Sequence, residues 1–166
     1  MKTIVLAIGL AVALIVQLFV LQSWQTGGIT PNVLLAYLVT LSIFVKSEQL
    51  LWLSLVAGVL SDFYSTSDFG LYLGFYLLVA IIAKYLLKFG ETEFSWWRPL
   101  VFLAVLCFLQ SIVINFDQFS SLNWWAVTKS IIQYVIFTTF AGVIWYLLIK
   151  QTDDFIKKLS VSRVTR

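Results

Sequence analysis

The sequence predicts an all-α integral membrane protein, a bundle of six transmembrane helices, and three observations predict it. Of its 166 residues 61% are hydrophobic and only 11% charged, whereas soluble domains carry roughly 25% charged residues. The mean hydropathy is +0.96. The apolar residues also fall into six runs parted by short polar links, and the basic residues gather on one side of the arrangement that those runs imply. No polar stretch is long enough to fold alone, so one domain is expected over 1–150, followed by a basic cytoplasmic tail over 151–166.

Thr3 to Leu21 holds 19 residues without a charge, longer than the roughly 7 to 15 apolar residues of a signal-peptide core. No A-x-A-like site follows in Gln22 to Gly28. A retained first span over 3–22 is therefore expected, with Gln17 its one strongly polar side chain. Trp24 to Gly28 reads as a turn. Thr30 then reads as an N-cap with Pro31 at the first helical position, where the missing N–H removes no bond. The second helix is expected over 31–45 and the third over 49–63, joined by the charged turn Lys46-Ser47-Glu48. At 1.5 Å per residue each reaches only about 23 Å, short of the roughly 30 Å hydrocarbon core.

Ser67 or Asp68 can cap a fourth helix over 70–89, which carries Lys84 and Lys88 in its last two turns. Cations there complement the helix dipole and can snorkel to headgroups. A charged link ends at Pro99, and a fifth helix over 99–115 carries Gln110, Ser111 and Asn115. The polar, tryptophan-bearing stretch 116–129 reads as a link along the membrane surface, and a sixth helix is expected over 130–149. The tail is too short and polar to pack a core, so its end is expected to be disordered, yet basic enough to touch anionic lipid.

Short loops rich in Lys and Arg stay in the cytoplasm. Six spans put Lys2, Lys46, Lys84, Lys88, Arg98, Lys150, Lys157, Lys158, Arg163 and Arg166 on one side and only Lys129 on the other. Both termini are thus expected in the cytoplasm, and Trp24, Trp52, Trp96, Trp97, Trp124, Trp125 and Trp145 fall near span ends, as an aromatic belt requires.

The composition also weighs against several functions. Histidine is absent, which removes the residue most used for proton transfer and transition-metal ligation. The eight acidic residues are scattered over turns, and no nucleophile elbow or P-loop occurs. No enzymatic activity, cofactor or metal is expected. The single Cys107 lies in an apolar run and reads as packing. The net charge of +3 is a topology signal and no single basic face, so nucleic acid is not an expected partner.

The most informative stretch is Gly58-Val59-Leu60-Ser61-Asp62. A carboxylate is unfavourable at a helix C-terminus and expensive near hydrocarbon. Ser54, Gly58, Ser61, Asp62 and Ser65 share one helical face, and Gly70 and Gly74 repeat the small-residue spacing in the fourth helix, which reads as close packing between the two. Three roles stand open for Asp62: a solvated interfacial carboxylate, an anchor for the turn into the fourth helix, or a contact with a ligand or partner. Gln110, Asn115 and Asp117 form a candidate outward polar cluster that could meet it.

These residues resemble the MreD-type rod shape-determining family of bacteria. Pro31 to Val39 looks like that family's proline-led second helix, Gly58 to Asp62 like its glycine-to-aspartate segment, and Phe69-Gly70 with the run to Leu86 like the glycine eight residues beyond that aspartate. Asn32 departs from the family, which often has aspartate there. The resemblance implies a non-enzymatic scaffold of the cell-elongation machinery in the bacterial cytoplasmic membrane. It would sit beside the bitopic protein MreC and link MreB filaments to peptidoglycan synthesis by RodA and a transpeptidase. Pro31, Gly58, Asp62, Gly70 and Gly74 are the family-motif positions, candidates for a partner contact or a turn anchor; self-association is left open. The family is also similar in architecture to the substrate-binding S-components of energy-coupling-factor (ECF) vitamin transporters, which gives the alternative: an outward pocket binding a small molecule near Asp62, Asn115 and Asp117.

Overall fold

The computed structural model describes residues 3–20, 31–64, 69–88, 97–114 and 124–164, and among these residues the chain is all helix and turn, with no strand. The helices are α1 (Thr3–Ile15), prolonged by a π-helical turn at Val16–Val20; α2 (Val33–Leu41); α3 (Ser47–Tyr64); α4 (Leu71–Lys88); α5 (Trp97–Ile114); and α6 (Trp124–Val164).

α2 is the axis of the fold. Its sequence VLLAYLVTL is apolar on every side, and a helix hydrophobic all round is one that is covered all round. All nine residues are buried, and α2 packs against each of the other five helices. Thr40 and Ser42 end it by turning their hydroxyls back onto backbone carbonyls, Thr40 onto those of Ala36 and Tyr37 and Ser42 onto that of Val39. Phe44 N–H and Val45 N–H close on the Leu41 carbonyl in the turn that follows. Tyr37 joins α2 to α1: its hydroxyl donates to the Leu6 carbonyl at 2.8 Å. Gly9 makes the room, since a Cβ there would lie 2.7 Å from that hydroxyl. Trp145 of α6 closes edge-on over the Tyr37 ring, with centroids 4.8 Å apart.

Around a mostly apolar core, several polar side chains are also buried and many large apolar ones are exposed. Asn32, Thr40, Ser42, Ser54, Asp62, Gln110, Ser111 and Thr138 are buried, whereas Ile4, Ile8, Val12, Ile81, Val101, Val105, Ile132, Ile136 and Phe140 are exposed. One helix, over Val127–Ile156, is long and apolar enough by itself to cross a membrane, and Ile4–Phe19, Leu71–Tyr85 and Trp97–Ile112 form shorter apolar helices.

Several boundaries differ from expectation. α2 starts at Val33, after Asn32, whose side chain accepts from Leu35 N–H; Pro31 precedes this cap and does not open the helix. An amide two residues nearer the helix makes the cap that Thr30 was expected to make, and Thr30 itself lies outside the described residues. α2 ends at Leu41, not near 45, because Thr40 and Ser42 compete for its last carbonyls. α5 begins at Trp97, so Pro99 sits within its first turn, where proline is tolerated. α6 departs most: it is already helical at Trp124, inside the expected surface link, and continues through the expected tail to Val164. Asp153 and Asp154 each stand four residues before a lysine, a spacing that supports helix. A chain already helical at Lys150 also needs no new nucleus to go on.

Candidate functional site

Two sets of polar groups lie inside the bundle. The first joins α3 to α4. Gly58 lets the helices touch at backbone distance: a Cβ on it would lie 2.5 Å from Leu73 Cα. One turn later Asp62 is buried, only 4% exposed. Its Oδ2 accepts from Gly70 N–H at 3.0 Å and Leu73 N–H at 3.1 Å, and its Oδ1 from Tyr72 N–H at 2.9 Å. The first N–H groups of a helix have no partner within it and carry partial positive charge. The carboxylate is thus a cap for α4 supplied from the neighbouring helix, and this balances its unfavourable place at the end of its own. Gly70 adopts φ +103°, which permits the tight entry into α4. Gly74 is exposed, and a Cβ there would meet nothing within 4 Å. The small-residue spacing therefore packs α3 against α4 at Gly58 only. Ser54, one turn before Gly58, is fully buried, and its Oγ has no hydrogen-bond partner among the described residues.

The second set surrounds the start of α2, with Asn32 at its centre. Asn32 N–H donates to Thr138 Oγ1 at 3.1 Å, and its side-chain amide donates to Gln110 Oε1 at 3.2 Å. Asn32 Oδ1 accepts from Leu35 N–H and from the Tyr76 hydroxyl, both at 2.9 Å. Gln110 Oε1 takes a second donor, the Tyr134 hydroxyl, at 2.8 Å. Gln17, in the π-helical turn after α1, accepts from Val33 N–H at 2.7 Å. Side chains from α1's extension, α4, α5 and α6 so converge on one helix start, and every hydrogen bond uses a neutral amide, hydroxyl or phenol. Both lone pairs of Asn32 Oδ1 are engaged.

The far end of α2 is held by Lys84 of α4, whose ammonium donates to the Ser42 carbonyl at 2.8 Å and to that of Val45. Ser42 is the C-cap of α2 and Val45 lies in the turn beyond it, so the cation stands at the C-terminal end of α2, where the dipole also favours it. Lys84 is directed inward onto α2, and this use replaces the expected snorkelling to headgroups.

Of the candidate residues read from the sequence, Gly58, Asp62 and Gly70 come together, and Gly74 lies on the open side of α4. Pro31 stands directly before the Asn32 cap. Gln110 is buried on Asn32 and Tyr134, and no hydrogen bond joins it to Asp62 among the described residues. Of the expected cluster only Gln110 is described; Asn115 and Asp117 lie outside the described residues. Sequence reasoning missed Asn32 as a hub, together with Tyr76, Tyr134 and Thr138. The available signal was a polar residue ahead of an all-apolar helix, which must find partners when it is buried. Among the described residues no three His, Cys, Asp or Glu side chains converge. Comparison with models of known protein families, with curated proteins and with solved structures gave no match to this chain.

Proposed function

We propose that this chain is a multi-pass protein of the bacterial cytoplasmic membrane, with six spans and both termini in the cytoplasm, that serves as a non-enzymatic scaffold of the MreD type in cell elongation and binds an MreC-like bitopic partner. The many large apolar side chains on the outside, together with the Val127–Ile156 helix, carry the membrane part of this reading. Isoleucines and phenylalanines on the outside and amides and hydroxyls on the inside are stable together where the surroundings are hydrocarbon. Hydrocarbon also accounts for Asn32 and Asp62 both being surrounded by donors or acceptors, since an unsatisfied polar group there costs several kcal/mol.

The resemblance supports the scaffold part, and the Asp62 geometry gives it physical content. Gly58, Asp62 and Gly70, the positions on which the likeness rests, act as one unit: the glycine admits the neighbouring helix, and the aspartate binds the N–H eight residues on. A scaffold needs such rigidity and no open polar site. The transporter-subunit alternative has less support, because Asp62, one of its expected lining residues, already accepts from three backbone N–H groups of α4.

Depletion of the protein is expected to round the cell, and an MreC-like protein is expected to co-purify with it. Cells that remain rods, with no such partner recovered, would overturn the scaffold reading. For topology, a reporter active only outside the cytoplasm is expected to give signal near Phe119 and none near Gln151; signal at Gln151 would overturn the six-span arrangement.

A further inference from the structure

The helices do not offer hydrocarbon the same length. On α6 the charge-free stretch between Lys129 and Lys150, Ser130 to Ile149, is about 30 Å of helix, a full hydrocarbon core. On α3 the exposed Glu48 stands in the first turn, and the helix ends at Tyr64, before the polar Ser65-Thr66-Ser67-Asp68. An exposed carboxylate is expensive in hydrocarbon, so α3 offers it at most Gln49 to Tyr64, about 24 Å. The neighbouring α4 adds no length, since its apolar part, Leu71–Tyr85, is about 22 Å.

The aromatic side chains mark the same short distance independently. Trp52 is 69% exposed towards one end of α3, and Phe63 and Tyr64 are 70% and 62% exposed at the other, with Leu55 and Val56 exposed between them. Phe69, just ahead of α4, adds an exposed ring set edge-on against Phe63, with centroids 5.5 Å apart. Trp and Tyr favour the headgroup level, where the ring has apolar surroundings and the polar tip is wet. Trp52 and Tyr64 lie only about 18 Å apart along the helix axis.

Tilting cannot even out these lengths. α3 and α6 both pack on α2, so they are held in one bundle, and any tilt of that bundle shortens the reach of α3 further. A span shorter than the hydrocarbon is otherwise accommodated by a thinner bilayer around it. We propose that the exposed face of α3 thins the bilayer beside it and gathers phospholipids with acyl chains shorter than the bulk, while α6 keeps lipids of ordinary length. The proposal rests on the reading of the chain as a multi-pass membrane protein.

The test places a bimane label on α3 at Val56→Cys or on α6 at Ile136→Cys, both exposed positions, with the labelled parent, whose Cys107 is buried, as the blank. Each full-length protein is reconstituted in mixtures of two phosphatidylcholines. One carries a quenching nitroxide on an acyl chain of about 18 carbons, and the other, unlabelled, has chains of about 14 or about 18 carbons. At Val56 the shorter lipid is expected to displace the quencher about two- to fivefold better than the longer one, and at Ile136 no better. Leu55→Cys, also exposed on α3, repeats the measurement if the Val56 variant does not fold. The same preference at both labels, or none at either, overturns the proposal. A label at Val56 that the nitroxide lipid does not quench also overturns it, since a second protein surface then covers α3. Extraction with alkaline carbonate tests the membrane reading separately: release of the chain sinks both, whereas retention with equal preferences sinks this proposal alone.

Discussion

Removing the Asp62 carboxylate is the perturbation with the clearest expected magnitude. Asp62→Ala leaves the N–H groups of Gly70, Tyr72 and Leu73 without their acceptor. A hydrogen bond to a charged group is worth about 1.5–3 kcal/mol and a lost helix cap about 0.5–2 kcal/mol. The three bonds share one carboxylate, and water can reach donors that are only partly buried, so they do not sum fully. A loss of about 3–5 kcal/mol follows, which for a chain of this size lowers the midpoint of unfolding by roughly 6–20 °C. Asp62→Asn keeps one acceptor oxygen, loses the charge and turns an NH₂ toward an N–H, so about 1–3 kcal/mol is expected. Thermal loss of helical circular dichroism in detergent micelles reads the effect, with Asp154→Ala, at an exposed position, as the unaffected control. An Asp62→Ala midpoint within about 2 °C of the control would refute the reasoning, because it would mean that the capped start of α4 contributes nothing to stability.

Gly58→Ala forces a Cβ onto the Leu73 backbone and should cost about 1–3 kcal/mol, whereas Gly74→Ala meets nothing and should be neutral or raise stability by up to about 1 kcal/mol; the same melting measurement separates them. Asn32→Ala should cost about 2–4 kcal/mol, and a double-mutant cycle with Gln110→Ala should show a coupling of about 0.5–1.5 kcal/mol, while strict additivity would mean that the amide pair carries no energy. Lys84→Met strips the Ser42 and Val45 carbonyls, just past α2, of their donor and should cost about 1–3 kcal/mol, with Lys84→Arg restoring part of it, as denaturant titration of helical signal would show.

What the sequence made legible is what periodicity and charge encode. Six apolar runs became six helices in the same order, and the oddity of a carboxylate at Asp62 pointed to a turn where it has donors. The alternative roles for that residue stayed open because sequence shows neither Leu73 Cα behind Gly58 nor the direction of the Gly70 N–H. The polar hub was illegible for a related reason: Asn32 is 44 residues from Tyr76, 78 from Gln110 and 106 from Thr138, and no local pattern reports such pairings. The expected tail over 151–166 is helical to Val164: polarity there signals a lack of packing, and a helix that continues from a formed one requires none.

The internal polar groups share one use, and it bears on where a partner can bind. Asn32, Gln17 and Thr138 hold the start of α2, Lys84 holds its end, and Asp62 holds the start of α4. Each satisfies backbone groups that a buried helix end cannot leave bare. On the scaffold reading, with these side chains turned to the backbone, partner recognition falls to outward surfaces such as the apolar face of α6 and the open side of α4 at Gly74. On that reading, substitutions at Asp62 or Asn32 should lower the amount of folded protein and its function in parallel, whereas substitutions at exposed positions should affect partner binding at an unchanged protein level. A variant of Asp62 that folds to the parent's level yet loses its partner would reverse this assignment and return the carboxylate to a recognition role.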